Sequence, residues 1–191
     1  MRYMRWIIIT TLFSFGWLLS GCGPMTIKDT TTQSYIPIQG WVLVLQRDVV
    51  ISPGRARVFF QGGRLLSAVN EYEPHCQLMV RDISEQPQTV HAGRFTIDRV
   101  FGNSGEIVHS DYIRLASAGA TVIADGGGDG DADGRLIYFY FLGLHADEQP
   151  NVTYLVCGGA LEMAAFARYP TLQDIQAALG DYATLILPEE G

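Results

Sequence analysis

Asp129, Asp131 and Asp133 stand at alternate positions ahead of Gly134, within a run that begins Asp125-Gly126-Gly127-Gly128. Carboxylates at this spacing can converge on one hard cation. Ca²⁺ takes about six to eight oxygen ligands, and a glycine lets the chain turn sharply around them. The competing reading is a solvated hairpin insertion, since glycines and aspartates resist packing. Four histidines, His75, His91, His109 and His145, are scattered along the chain. His75 beside Cys76, with Glu73 and Met79 near it, is the richest local set for zinc or copper. Such sites need about three or four convergent ligands, so these residues read first as surface or hydrogen-bonded histidines. A nucleophile elbow, a His-Glu-x-x-His and a phosphate-cradling glycine loop are all missing from the sequence. Aspartates flank Gly126-Gly127-Gly128 and would repel phosphate.

Taken from Asp129 onward, the alternating aspartates, Gly134 and the apolar Leu136 resemble the opening of an EF-hand-type calcium loop. The resemblance implies Asp129, Asp131 and Asp133 as metal ligands and Ca²⁺ as the bound ion. It departs from the pattern where Tyr140 occupies the place of the bidentate acid, and where a strand-like run follows instead of a helix.

The N-terminus carries a different chemistry. Arg2 and Arg5 precede an apolar stretch, Trp6 to Leu19, that falls short of the roughly 20 apolar residues of a membrane span. A basic start, a short apolar run and small residues before a cut site describe an export signal. Leu19-Ser20-Gly21-Cys22 resembles the lipobox of bacterial lipoproteins. The resemblance covers only this N-terminal segment. It implies cleavage after Gly21, diacylation of the Cys22 thiol and acylation of the new amino terminus with chains such as palmitate. Several acyl chains, at about 0.8 kcal/mol per buried CH₂, make a stable anchor. Gly23 stands where an aspartate would signal retention in the inner membrane, so the resemblance points to the periplasmic face of the outer membrane.

Removing Cys22 from the count leaves Cys76 and Cys157, both within strand-like runs. An even pair in an oxidising compartment reads as a disulfide, worth about 4 kcal/mol or more by the chain-entropy model. Two buried thiols and a thiol metal ligand are the alternatives.

These sites need a framework to position them. The precursor has a formal net charge of −7, and its signal contributes only positive residues, so the exported part is more acidic still. Lys28 is the only lysine, and no arginine cluster appears, which argues against nucleic acid and against anionic lipid headgroups as partners. Residues 1–21 read as the signal peptide and 22–39 as the lipidated N-terminus and a threonine-rich tether, with an edge strand as its other reading. Residues 40–191 are long enough for a single β-rich domain.

Strand-like runs between turn signals predict a mainly β fold: an antiparallel β-sandwich or barrel-like domain with a short C-terminal helix. Gly62-Gly63 reads as a hairpin turn, Phe101 to Gly105 as a loop, and Arg135 to Leu142 as a central strand covered on both faces. Thr171 is an N-cap candidate with Asp174 placed for a capping box, Leu172, Ile175, Ala178 and Leu179 keep helical spacing, and Gly180 is the stop. Ala160 to Arg168 reads as further helix or further strand, and Tyr182 to Leu187 as a last strand. Alternation along Tyr138-Phe139-Tyr140-Phe141 allows at most one pair to line a carbohydrate or ligand platform, with core packing as the competing role.

The expected function is a non-enzymatic binding or structural module of the cell envelope, anchored to the membrane by lipid, with an envelope protein or other envelope component as partner. The alternative is a periplasmic hydrolase or metal-handling protein, its site gathered from Glu73, His75, His91, His109 and Asp111.

Overall fold

The computed structural model describes residues 25–107 and 135–186. Cys22 and the signal segment, His109, Asp111, and Asp129, Asp131 and Asp133 lie outside the described residues. Two long strands form the spine, β9 (Gly93–Ile107) and β10 (Arg135–His145), paired antiparallel from Arg135 opposite Ile107 to His145 opposite Thr96. Beyond β9 come β3 (Val42–Leu45) and then β13 (Ala183–Ile186). Beyond β10 come β11 (Val152–Gly158), β7 (His75–Val80), β5 (Arg57–Gln61) and β6 (Arg64–Leu66). With β12 (Glu162–Met163) paired to the start of β10, the described residues build a nine-stranded antiparallel sheet.

Side-chain alternation gives this sheet one apolar face. Phe95, Ile97, Leu142, Leu155, Leu78 and Phe60 are buried on it, packed with helix α1 (Leu172–Leu179). The helix buries Leu172, Ile175, Ala178 and Leu179, the residues at helical spacing, and touches β13 as well as β5 and β7. One short helix can reach strands so far apart in the sheet order only if the sheet curls around it. The result is the barrel-like member of the predicted pair: a half-barrel with the helix as its plug. Thr171 and Asp174 close the capping box, with the Asp174 amide 3.2 Å from Thr171 Oγ1 and the Thr171 amide 2.8 Å from Asp174 Oδ2. Gly62 and Gly63 both take positive φ, 55° and 72°, as a two-residue turn of type I′ requires. The Gly63 amide then donates to Ala178 O at 3.1 Å, tying the turn to the end of the helix.

Several expectations change form. The segment read as a tether, or as an edge strand, pairs with itself from Thr26 onward: β1 (Thr26–Asp29) and β2 (Ser34–Pro37) make a hairpin that buries Ile27 against the core. Another small pair, β4 (Val49–Ile51) with β8 (Gln88–Val90), lies apart from the main sheet. Phe101 to Gly105 is not a loop but part of the second half of β9, with Gly102 opposite Tyr140. Gly102 is there for closeness, not for turning. A Cβ at that position would collide with the Tyr169 hydroxyl and the Met25 methyl group. Ala160 to Arg168 contributes only the two residues of β12 before the chain turns away.

Cys76 and Cys157 sit directly opposite each other on β7 and β11, their Cα atoms 4.0 Å apart, and are joined by a disulfide. Both are fully buried on the inner face. The two thiol alternatives are thereby set aside.

Candidate functional site

Tyr138 and Tyr140 lie two residues apart on β10 and so point to the same, inner side of the sheet. Tyr169, in the chain just before α1, packs against both: its ring stacks on Tyr140 with centroids 4.6 Å apart and meets Tyr138 tilted by 40° at 4.9 Å. The side chain of Tyr169 takes the space that Gly102 leaves open on the neighbouring strand. Around the three rings opens a cleft of about 630 Å³, with Tyr35 and Lys28 at its hairpin side and Arg168 at its helix side. Tyr35 and Lys28 are cross-strand partners in the β1–β2 hairpin, which carries them to the cleft as a pair.

Hydrogen bonds fix the three walls relative to one another. Tyr140 donates its phenol proton to Thr26 O at 3.0 Å, joining β10 to the hairpin. Gln173, on the first turn of α1, accepts from the Thr30 amide at 2.9 Å and donates to Thr31 Oγ1 at 2.9 Å and to Asp29 Oδ1. Asp29 also receives the Thr31 amide and the Thr32 hydroxyl, each at 2.8 Å. The Thr32 hydroxyl and the Gln173 amide, with the Thr31 backbone, hold the Asp29 carboxyl down at about 2. Arg168 donates through Nη1 to Asp174 Oδ2 at 2.9 Å, which orients the loop that carries Tyr169. Burial pushes the Asp174 carboxyl up, but the Thr171 amide and the Arg168 guanidinium outweigh it and leave it below the usual carboxylate range.

The chemistry of the cleft follows from these states. Burial, reinforced by the neighbouring Tyr169 and Tyr35 phenols, pushes Tyr140 up to about 12. Burial and Tyr138 raise Tyr169 in the same direction. Neutral phenols are hydrogen-bonding groups with apolar faces, not bases. Among the described lining residues there is no histidine, cysteine or serine.

The other face of β10 completes the division of its aromatic run. Phe139 and Phe141 turn outward. Phe101 stacks on Phe141 with centroids 4.9 Å apart and planes 8° from parallel, Tyr154 meets both edge-on, and the Arg99 guanidinium lies 5.8 Å from the Tyr154 ring. This face is half-covered by its own side chains, and the inner face is fully covered only beyond the cleft, around Leu142 and Leu144, so the expected cover on both sides of β10 is partial. Of the predicted metal candidates, His75 is buried with Nδ1 3.1 Å from Glu73 O, and His91 pairs with Asp48 at 3.0 Å on the surface. His145 pairs with Asp147 at 3.3 Å, also on the surface. Among the described residues no three of His, Cys, Asp and Glu gather at a metal-ligand distance. The calcium candidates Asp129, Asp131 and Asp133 and the lipidation candidate Cys22 lie outside the described residues.

Sequence patterning placed Tyr138 and Tyr140 on one face but carried no sign of Tyr35, Lys28 or Arg168. Tyr169 had a signal only in its position, just before the helix cap. No helix among the described residues is long and apolar enough to cross a membrane. No protein-family model matches the chain, and no curated protein or solved structure does so either.

Proposed function

We propose that this chain is a lipoprotein of the outer membrane, held on the periplasmic face by lipid on Cys22, and that its half-barrel is a non-enzymatic binding module whose site is the tyrosine cleft. The anchor rests on the order of Arg2 and Arg5, the apolar run and Leu19-Ser20-Gly21-Cys22. The single observation that carries the binding role is the cleft itself. Three clustered tyrosines at an open concavity are an expensive arrangement for packing alone, because the rings of Tyr138 and Tyr169 stay partly exposed and their hydroxyls have no partner among the described residues. Pockets that recognise small ligands combine such apolar walls with a few placed polar groups, here Lys28 and Arg168. Burial raises the Tyr140 and Tyr169 phenols and keeps their protons on, which favours holding a ligand over transforming it.

A photo-crosslinking amino acid placed at Tyr35 in the full-length chain, in whole cells, tests this reading. Tyr35 is 68% exposed at the rim, and Ile83, equally exposed and on a separate loop, is the control position. The expected result is a peptide spanning residue 35 with one defined added mass, absent when the crosslinker stands at Ile83. Identical products at both positions, or none at residue 35, would remove the cleft as the binding site.

A further inference from the structure

The polar groups of the cleft divide unevenly into used and unused. The acidic and amide acceptors at or beside the cleft already have partners: Asp174 through Oδ2 with Arg168 and the Thr171 amide, Asp29 with Thr31, Thr32 and Gln173, and Gln173 Oε1 with Thr30. The donors are largely free. Among the described residues, Lys28 makes no ion pair, and Arg168 commits only Nη1. The hydroxyls of Tyr35, Tyr138 and Tyr169 have no hydrogen-bond partner there either. The phenols can donate or accept, but Lys28 and Arg168 can only donate, so the site favours a ligand that accepts. Two cationic donors at the rim select for negative charge.

Composition sharpens this. The chain has a formal net charge of −7, yet its sole lysine stands at this cleft together with an arginine. Lys28 is brought there by register: it lies opposite Tyr35 in the hairpin, so a cation and an exposed ring are presented side by side. Across from them stand the half-buried rings of Tyr138 and Tyr169. Aromatic faces ringed by hydrogen-bond donors suit a flat, apolar face edged with oxygens, which is the surface of a pyranose ring.

We propose that the cleft binds an acidic saccharide: a sugar ring seated against Tyr35, Tyr138 and Tyr169, its carboxylate held by Lys28 and Arg168. This rests on the reading of the cleft as the binding site and names the ligand class for it. Lys28 and Tyr35 are specificity-determining. Tyr140 is not, because its hydroxyl is committed to Thr26 and its ring is buried.

The test uses full-length protein in detergent micelles and three probes measured by calorimetric titration. N-Acetylmuramic acid and N-acetylglucosamine share a ring and differ by one lactyl carboxylate, and D-lactate supplies the carboxylate without the ring. The expected order is N-acetylmuramic acid at least about tenfold tighter than N-acetylglucosamine, with lactate weaker than either, since a charge-assisted hydrogen bond is worth about this factor. Lys28→Gln should weaken the acidic sugar severalfold toward the level of the neutral one, Arg168 keeping the remainder, and leave the neutral one unchanged. Tyr35→Ala should weaken both sugars about equally. Both positions are exposed, so thermal melts should show both variants folded. Equal binding of the two sugars, equal binding of lactate, or no binding of any probe overturns the assignment. If the crosslink at residue 35 persists in cells while all three probes fail, the cleft stands and only its ligand class falls. If the crosslink is also absent, the binding reading falls with it.

Discussion

Reducing the Cys76–Cys157 disulfide should destabilise the domain mainly through its unfolded state. The bridge spans a sequence separation of 81, so it removes the freedom of a long loop from the unfolded chain. The chain-entropy relation gives about 4.5 kcal/mol for a loop of that length at 25 °C. In the folded state little should change on reduction. Both cysteines are fully buried, and the pairs on either side of them, Gln77 with Val156 and His75 with Gly158, continue the same ladder. A buried thiol behaves as a small apolar group, so the packing against the core survives. For a domain of this size each kcal/mol is worth roughly 2 to 4 °C, so the thermal midpoint should fall by roughly 10 to 18 °C. Urea unfolding of oxidised and reduced protein supplies a second readout. The dependence on urea should steepen on reduction, because the freed unfolded chain exposes more surface. A drop of less than about 3 °C, with full reduction verified by alkylation, would refute the loop-entropy account. Two thiols alkylated without reductant, in exported and denatured protein, would refute the bridge itself.

The remaining predictions concern the anchor, the acidic loop, the clasp and the sheet. Cys22→Ala should leave an uncleaved or soluble precursor that takes up no labelled palmitate; labelling and outer-membrane fractionation that persist in the variant would reject the lipobox reading. Millimolar Ca²⁺ should raise the thermal midpoint if Asp129, Asp131 and Asp133 converge on the ion, by about 2.7 kcal/mol at a hundredfold excess over Kd, with Kd in the weak range of about 10⁻⁴ to 10⁻³ M. Melts in calcium, magnesium and chelator that superimpose, in wild type and Asp131→Ala alike, would eliminate the site. Asp29 is held at about 2 against an ordinary 3.8, so its stabilisation is fully present above the ordinary value and is lost as pH falls toward 2. Asp29→Asn should therefore flatten the acid limb of stability between about pH 4 and pH 2, and an unchanged limb would show the clasp to be energetically idle. Gly102→Ala should cost about 1 to 3 kcal/mol in urea unfolding by forcing Tyr169 off the sheet, while Asn103→Ala, exposed on the opposite face, should cost little.

The parts of the fold that could be read in advance are those decided by neighbours in sequence. The Gly62-Gly63 turn, the Thr171 cap and the apolar stripe from Leu172 to Leu179 each depend on a few adjacent residues, and each formed as their chemistry dictates. The misread elements are those where a distant partner reversed a local preference. Gly102 and Gly105 carry turn residues' signature, yet eleven residues of β10, from Arg135 to His145, are aligned along β9 and hold that stretch extended. Thr26 to Pro37 is poor in large apolar residues, yet one buried isoleucine and the Asp29–Gln173 clasp suffice to dock it.

The cleft was hidden for the same reason, taken one step further. Its walls come from three places in the chain: the hairpin around Lys28 and Tyr35, the strand with Tyr138 and Tyr140, and the loop with Arg168 and Tyr169. Period-two alternation can say that Tyr138 and Tyr140 share a face, but it is silent on what that face meets. A packed core and a ligand cleft differ only in whether another element covers the rings. Here the helix stops short of them. Its capping box turns the chain at Thr171, and the Arg168–Asp174 bond holds Tyr169 beside the rings as a wall of the cleft. The residue pattern that starts the helix is thus also what keeps the concavity open. Substitutions at Asp174 should consequently disturb ligand binding through the placement of Tyr169, although the carboxylate itself is already engaged within the protein.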